Sequence, residues 1–352
     1  MFKQPLKHIK MKTQNLKGMI AIGLIAMAFA ACKKDDAPVA SVSRLFVSNA
    51  DTDPAINNLT VFSPADGATL GTPRTFNTAA PDGNGIVYDA ASNTGFQVSR
   101  QSKTIKVFTV SNTGDVVVTS SFVDASLTSG RDAAYDAANK TLYVASNSDN
   151  KIFVYANAPA LTGNITPTKV FTLDGQPWGL DFFDGKLLVL IDLDRKEIQL
   201  FNNINTVAAG TVTPSNKITI PTATRLHGLV YDAASDVLLV TEIGLAAAPA
   251  IPNPTLPAFN ADGGIYVIEG ALAKFATNAA VTPTRTIFGS NTGLGNPVDI
   301  TFDAREGKKL IYVAEKANKA ISVFRLSDNG NVAPATTTTV TTLPESIFVD
   351  AR

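Results

Sequence analysis

The sequence predicts an all-β chain, a six-bladed β-propeller of four-stranded antiparallel blades closed by pairing N- and C-terminal strands in one blade. Three observations predict it. A short motif recurs at near-constant spacing, the same order of short strands follows each copy, and the two chain ends carry complementary parts of one unit.

The motif is clearest in Asn84-Gly85-Ile86-Val87-Tyr88-Asp89-Ala90-Ala91. It recurs as Arg131-Asp132-Ala133-Ala134-Tyr135-Asp136-Ala137-Ala138 and as His227-Gly228-Leu229-Val230-Tyr231-Asp232-Ala233-Ala234. Looser copies begin at Trp178, Val298 and Glu345, so the intervals are 47, 47, 49, 71 and 47 residues. After each Asp come runs of four to six β-branched or aromatic residues, such as Thr141-Leu142-Tyr143-Val144-Ala145 and Lys151-Ile152-Phe153-Val154-Tyr155. Gly, Asn, Asp, Ser or Pro separate them. No stretch after Cys32 keeps a helical period over three turns. At the N-terminus, Arg44–Ser48, Leu59–Phe62 and Pro73–Phe76 lack an innermost strand, and Glu345–Asp350 lacks followers. Joined, they complete a sixth blade and remove an open edge. The stretched interval holds about half a blade of extra chain, too little for a seventh. Together these repeats resemble the NHL, YVTN and SMP-30-like β-propellers over residues 43–352, a resemblance that implies the fold and leaves the function open.

Residues 1–31 read as an address. Gly18–Ala31 is an uncharged, mostly apolar run behind a lysine-rich flank, the length of a signal-peptide core and too short to span a bilayer. It ends in Phe29-Ala30-Ala31-Cys32, which resembles a bacterial lipoprotein box with Cys32 as the lipidated residue. The alternative is an ordinary signal peptide cleaved after Ala31. Residues 32–42 form the anchored linker, and Lys33-Lys34-Asp35-Asp36 resembles the start of surface-exposed lipoproteins of Bacteroidetes. The expectation is an outer-membrane, lipid-anchored protein on the cell surface, with periplasmic display as the alternative. Met11 is a more usual start than Met1.

Composition narrows the chemistry. The leader holds five of the 30 basic residues and none of the 30 acids, so the remainder carries a net charge of −5. That balance argues against nucleic acid as a partner and leaves the membrane contact to the lipid anchor. His227 is the sole histidine after the leader and Cys32 the sole cysteine, which excludes internal disulfides and multi-His metal centres.

The repeat sorts the remaining polar residues onto two faces. Asp89, Asp136, Asp232 and Asp303 fall in the hairpin turns after the innermost strands, where an Asp bonds its own turn. Asp184-Gly185 is the same turn shortened to two residues. The positions entering each innermost strand vary instead: Asn84, Arg131 with Asp132, Trp178, His227, Asn296 with Asp299, and Glu345. They are expected to ring one mouth of the central channel, as a ligand surface or as groups pairing among themselves across a wet channel. The insertion Leu245–Gly263 is expected to project beside them. Asp51-Thr52-Asp53 and Asp192-Leu193-Asp194 lie in loops on that side, as solvated turns or as Ca²⁺ ligands.

Two functions compete. The first is a binding module whose mouth takes an extracellular or periplasmic protein, peptide or glycan, with Trp178 as an aromatic platform. The second comes from the resemblance to SMP-30-like and paraoxonase-like hydrolases, which implies a calcium-dependent lactonase or esterase. Asn84, Asn296, Asp299 and Glu345 would then supply the metal's oxygens, although Glu345-Ser346-Ile347 departs from that family's Glu-Gly-Pro entry. A His227–Glu345 acid/base pair would resemble that of streptogramin lyase. No phosphate loop, serine elbow or thiol nucleophile accompanies either reading. A passive envelope scaffold is a third class.

Overall fold

A computed structural model describes residues 41–245 and 262–352, and it is the predicted propeller. The leader and Cys32 lie outside the described residues, as do residues 246–261 of the insertion. Six sheets radiate from a central channel. Blade 1 runs outward through Gly83–Asp89, Thr94–Ser99, Thr104–Val110 and Val116–Val123. Blade 2 uses Gly130–Asp136, Thr141–Ser146, Lys151–Tyr155 and Lys169–Thr172. Blade 3 uses Pro177–Phe183, Lys186–Ile191, Glu197–Phe201 and Asn216–Thr219. Blade 4 uses Leu226–Asp232, Val237–Glu242, Gly264–Glu269 and Arg285–Phe288. Blade 5 uses Pro297–Asp303, Leu310–Glu315, Ala320–Arg325 and Thr336–Thr339.

Blade 6 is assembled from both ends. Pro344–Ala351 is innermost, followed by Ser43–Asn49, Leu59–Phe62 and Pro73–Phe76. The closing pair is antiparallel, with Ser43 opposite Ala351 and Ser48 opposite Ser346.

Strand alternation builds the core. Successive side chains point to opposite faces of a strand, so each blade is apolar on both faces. In Lys186–Ile191, Leu187, Val189 and Ile191 pack toward blade 2, whereas Leu188 and Leu190 pack toward blade 4. Six apolar clusters result, one at each blade interface. The sixth sets Phe46, Leu59 and Val61 of blade 6 against Ile86, Tyr88 and Phe108 of blade 1, so the ring is closed.

The repeated turns behave as the sequence predicts. Asp89 accepts from Ser92 N and Oγ, Asp136 from Asn139 N, and Asp232 from Ser235 N. Asp184 and Gly185 both have positive φ, 45° and 72°, as a two-residue hairpin loop needs. The one α-helix among the described residues, Ala271–Thr277, is about two turns long and buries Ala271 and Phe275 against blade 4.

Deleting Glu345–Arg352 removes the innermost strand of blade 6 and uncovers one face of Phe46, Leu59 and Val61. Thermal melts of the truncated chain are expected to show loss of the cooperative transition of the whole domain. A melt matching the intact protein would disprove closure through this strand.

Candidate functional site

The innermost strands do not pair with one another, so their channel-side amides need acceptors other than a neighbouring strand. The sequence supplies them from one blade to the next. Asp132 accepts from Leu180 N at 2.8 Å, Asp181 from Tyr231 N at 2.7 Å and Asp299 from Ile347 N at 2.9 Å. Ser346 Oγ accepts from Ile86 N, and Thr301 Oγ1 from Val349 N. Blades 1 and 4 have no such bridge and carry glycine instead. A Cβ on Gly85 would lie 2.7 Å from Ala133 N, and one on Gly228 would lie 2.6 Å from Asp299 Cα. Around the ring, blades 2, 3, 5 and 6 therefore bridge by side chain and blades 1 and 4 by direct backbone approach, with Gly179 of blade 3 also close to His227 O.

Just before this layer the innermost strands of blades 1–5 slip register by a bulge, at Gly83/Ile86, Gly130/Ala133, Pro177/Leu180, Leu226/Leu229 and Pro297/Asp299. Bulges re-aim side chains, and the variable entry residues sit within them. Asn84, Arg131, Trp178, Val298 and Glu345 line one small space together with Asp132, Asp299 and Ser346. His227 joins them through its stack on Trp178. Asn296 does not share the ring. Val298 holds the equivalent position, while Asn296 is buried with its amide N–H bonded to Glu315.

The gathered residues close on one another. The Arg131 guanidinium lies 4.2 Å from the Trp178 ring centroid, and the His227 ring stacks on Trp178 at 3.7 Å and 13°. Two groups that close cannot share a face, so the indole is sandwiched. This cation–π contact contributes about 1–2 kcal/mol in a partly desolvated setting. Arg131 also lies 3.7 Å from Glu345, which holds Lys316, and 3.5 Å from Asn84 Oδ1. The space left at this mouth is about 10 Å³, room for one water.

The channel widens on the other side of Asp132 and Asp299. There all six innermost strands enclose about 250 Å³, lined by Asp132, Asp181 and Asp299 among Val87, Ala134, Val230 and Phe348. Burial pushes Asp181 and Asp299 up to about 7 against the hydrogen bonds that hold them down. Burial, and then the neighbouring charge of Asp299, raises Asp132 well above the carboxylate range.

Asp192 differs from the solvated turn expected of its loop. It is 1% exposed, accepts two hydrogen bonds from Arg225, and lies 3.3 Å from His227 Nε2. Burial would raise its carboxyl, but the contacts with His227 and Arg225 prevail and hold it below the usual range. Burial lowers His227. The partner of His227 is thus Asp192, while Glu345 is taken up by Lys316 and Arg131. Asp51 and Asp53 likewise serve local backbone, accepting from Leu343 N and Ala55 N.

The proposed calcium set does not fit that ion as it stands. Glu345 is shared by two cations, and both Asp299 oxygens accept from Ile300, Ser346 or Ile347. Asn84 Oδ1 lies 3.5 Å from Arg131, whereas Asn296 Oδ1 is buried without a hydrogen-bond partner among the described residues. Sequence reasoning missed Asp181, and placed Asp192 on this side only as a turn or Ca²⁺ ligand. The available signal for Asp181 is a lone acid where the other copies carry Val87, Ala134, Val230, Thr301 and Phe348. The described stem of the insertion, tied by Leu245 N to Asp262, borders a groove of about 570 Å³ that reaches Phe288 on the outermost strand of blade 4.

Comparison with known proteins agrees on the fold. No family model and no curated sequence matches the chain. A proposed 6-phosphogluconolactonase from Bacteroides fragilis superposes with a TM-score of 0.60 at 11% identity, covering 90% of this chain and 100% of that one. A second, from Bacteroides uniformis, gives 0.56 at 10% identity over 88% and 99%. A chain of the nidogen/laminin complex gives 0.55 at 14% identity over 88% and 98%. Identities this low establish a shared propeller fold and nothing finer.

The buried acids set the pH response. Asp132, Asp181, Asp299 and Glu315 hold protons more tightly folded than unfolded. For Asp181, Asp299 and Glu315 the stabilisation is complete below about pH 4 and is lost as pH rises through about 7, and Asp132 acts in the same direction. His227 acts oppositely, its contribution present above about pH 6.5 and lost on acidification. The acids outnumber it, so the urea midpoint is expected to fall between pH 5 and pH 8. Asp181→Asn should make that fall shallower. A midpoint that rises over this range contradicts the assignment.

Proposed function

We propose that the chain is a cell-envelope lipoprotein, lipidated at Cys32, whose propeller is a binding module for an extracellular or periplasmic protein or peptide at the entry face. The observation that carries this reading is the Arg131–Trp178–His227 stack. It is flanked by Glu345, 3.7 Å from Arg131, and by Asp192, 3.3 Å from His227, and lies over a space too small for a substrate. Arg and Trp are the residue types that dominate the energy of protein interfaces. Both faces of the indole are covered, so a sugar ring has no free platform there, which favours a protein or peptide over a glycan. The lactonase reading has less support, because Glu345 and Asp299 of its metal set are engaged by lysine, arginine, the Ser346 hydroxyl and backbone amides.

Arg131→Ala is the informative variant, because Glu345 keeps Lys316 and the fold has no need of the guanidinium. It should cost about 1 kcal/mol of stability and abolish cross-linking to the envelope partner that the wild-type protein captures in cells. Turnover of lactones or esters dependent on added Ca²⁺, with cross-linking unchanged, would replace the binding module by the hydrolase. Separately, Cys32→Ser should eliminate fatty-acid labelling and release the protein from the membrane fraction. A mutant that still incorporates labelled fatty acid would refute lipidation at this residue.

A further inference from the structure

The outer rim of the ring is covered unevenly. In four blades the loop entering the next blade's outermost strand adds a backbone bridge to the exposed edge. Gly163–Asn164 pairs with Val116–Val123 of blade 1, and Gly210–Thr211 with Lys169–Thr172 of blade 2. Ala280 bridges Thr219 of blade 3, and Gly330 bridges Ile287 of blade 4. Each of these four strands also buries one large apolar residue: Phe122, Phe171, Ile218 and Ile287.

Blades 5 and 6 lack both features among the described residues. The outermost strand of blade 6, Pro73–Phe76, is guarded in other ways. It carries a proline and a charge, and Arg74 reaches across to Thr113 and Asp115 of blade 1. Proline and charge are standard protections of a free edge. The outermost strand of blade 5, Thr336–Thr339, has neither. It is tied to the neighbouring loop by a side-chain hydrogen bond from Thr336 Oγ1 to Ala68 O. Thr337 and Thr339 are exposed, and the run Thr336-Thr337-Thr338-Thr339-Val340-Thr341-Thr342 has no charge, glycine or proline.

We infer that this edge is a self-association surface, where Thr336–Thr339 pairs antiparallel with the same strand of a second copy of the chain. A strand of near-identical residues is self-complementary. In any antiparallel register threonine faces threonine or valine, a favourable cross-strand pair, and no like charges meet. A two-fold axis through the pair makes the contact isologous and closed. A foreign strand would need side-chain pockets for its specificity, and this uniform strand offers none. Edge pairing alone buries far less than a standard interface, so the dimer is weak and concentration-dependent.

Sedimentation equilibrium of the full chain in mild detergent, over a wide concentration range, tests this directly. The wild-type protein is expected to show a monomer–dimer equilibrium. The T337K/T339K variant, altered only at exposed positions, should keep its melting curve and dimerise at least about fivefold more weakly, since like charges then oppose each other across the axis. Wild-type protein that stays monomeric, or a double-lysine variant that dimerises as tightly, would overturn the inference. A fluorescent peptide of residues 336–342 tests the other occupant. Its binding to a chain that does not self-associate would overturn the second-copy assignment and give the edge to a foreign strand.

Discussion

Six innermost strands stand around a channel without pairing to one another, and each presents backbone amides that cannot be left bare. That demand organises the molecule. A buried amide without a partner costs about 1–3 kcal/mol, so the chain supplies acceptors at fixed points of the repeat. Asp132, Asp181, Asp299, Ser346 and Thr301 each reach the following blade, and Gly85 and Gly228 let backbones meet where no side chain reaches. The blade interfaces hold the ring together by area, through six apolar clusters. The channel layer sets the spacing at which those clusters can form.

The same demand explains why buried acids line a stretch of channel with no cation among its lining residues. Their role is to accept from amides, which favours the ionised form, while burial favours the neutral one. Burial prevails at Asp181 and Asp299, both near 7. At Asp192, two bonds from Arg225 and the contact with His227 reverse the balance. Two aspartates of one blade, Asp181 and Asp192, therefore titrate in opposite directions because one meets only amides and the other meets a guanidinium.

The fold was legible because its causes are local and repeated. Alternating apolar strands, Asp-closed turns such as Asp136 and Asp232, and a spacing near 47 residues recur in the chain and require nothing distant. Closure was legible from what each end lacked. The site was legible only in part. The sequence marked Arg131, Trp178 and His227 as equivalent and variable, but equivalence says nothing about rotamers, and the stack depends on side chains reaching along the ring from adjacent blades. Asn296 lies just before the bulge at Pro297, where Val298 is the residue aligned with Arg131 and Trp178. Asp192 was read as a loop acid because its partners, Arg225 and His227, belong to the next blade.

Bulge and bridge divide the labour of a single repeat. From the second bulge position onward, as at Gly85, Asp132 and Gly228, residues are constrained by the neighbouring blade, which needs an acceptor or a glycine there, so few residue types are tolerated. The first residue of each bulge, Asn84, Arg131, Trp178, His227 or Val298, is turned out of the ladder and supplies no such acceptor. Variation can accumulate there without opening the ring, and that is where the sole tryptophan and the sole histidine of residues 41–352 are found. Those two side chains stack on each other rather than face the solvent singly. The mouth is therefore a packed surface with about 10 Å³ left among its side chains, above the wider part of the channel.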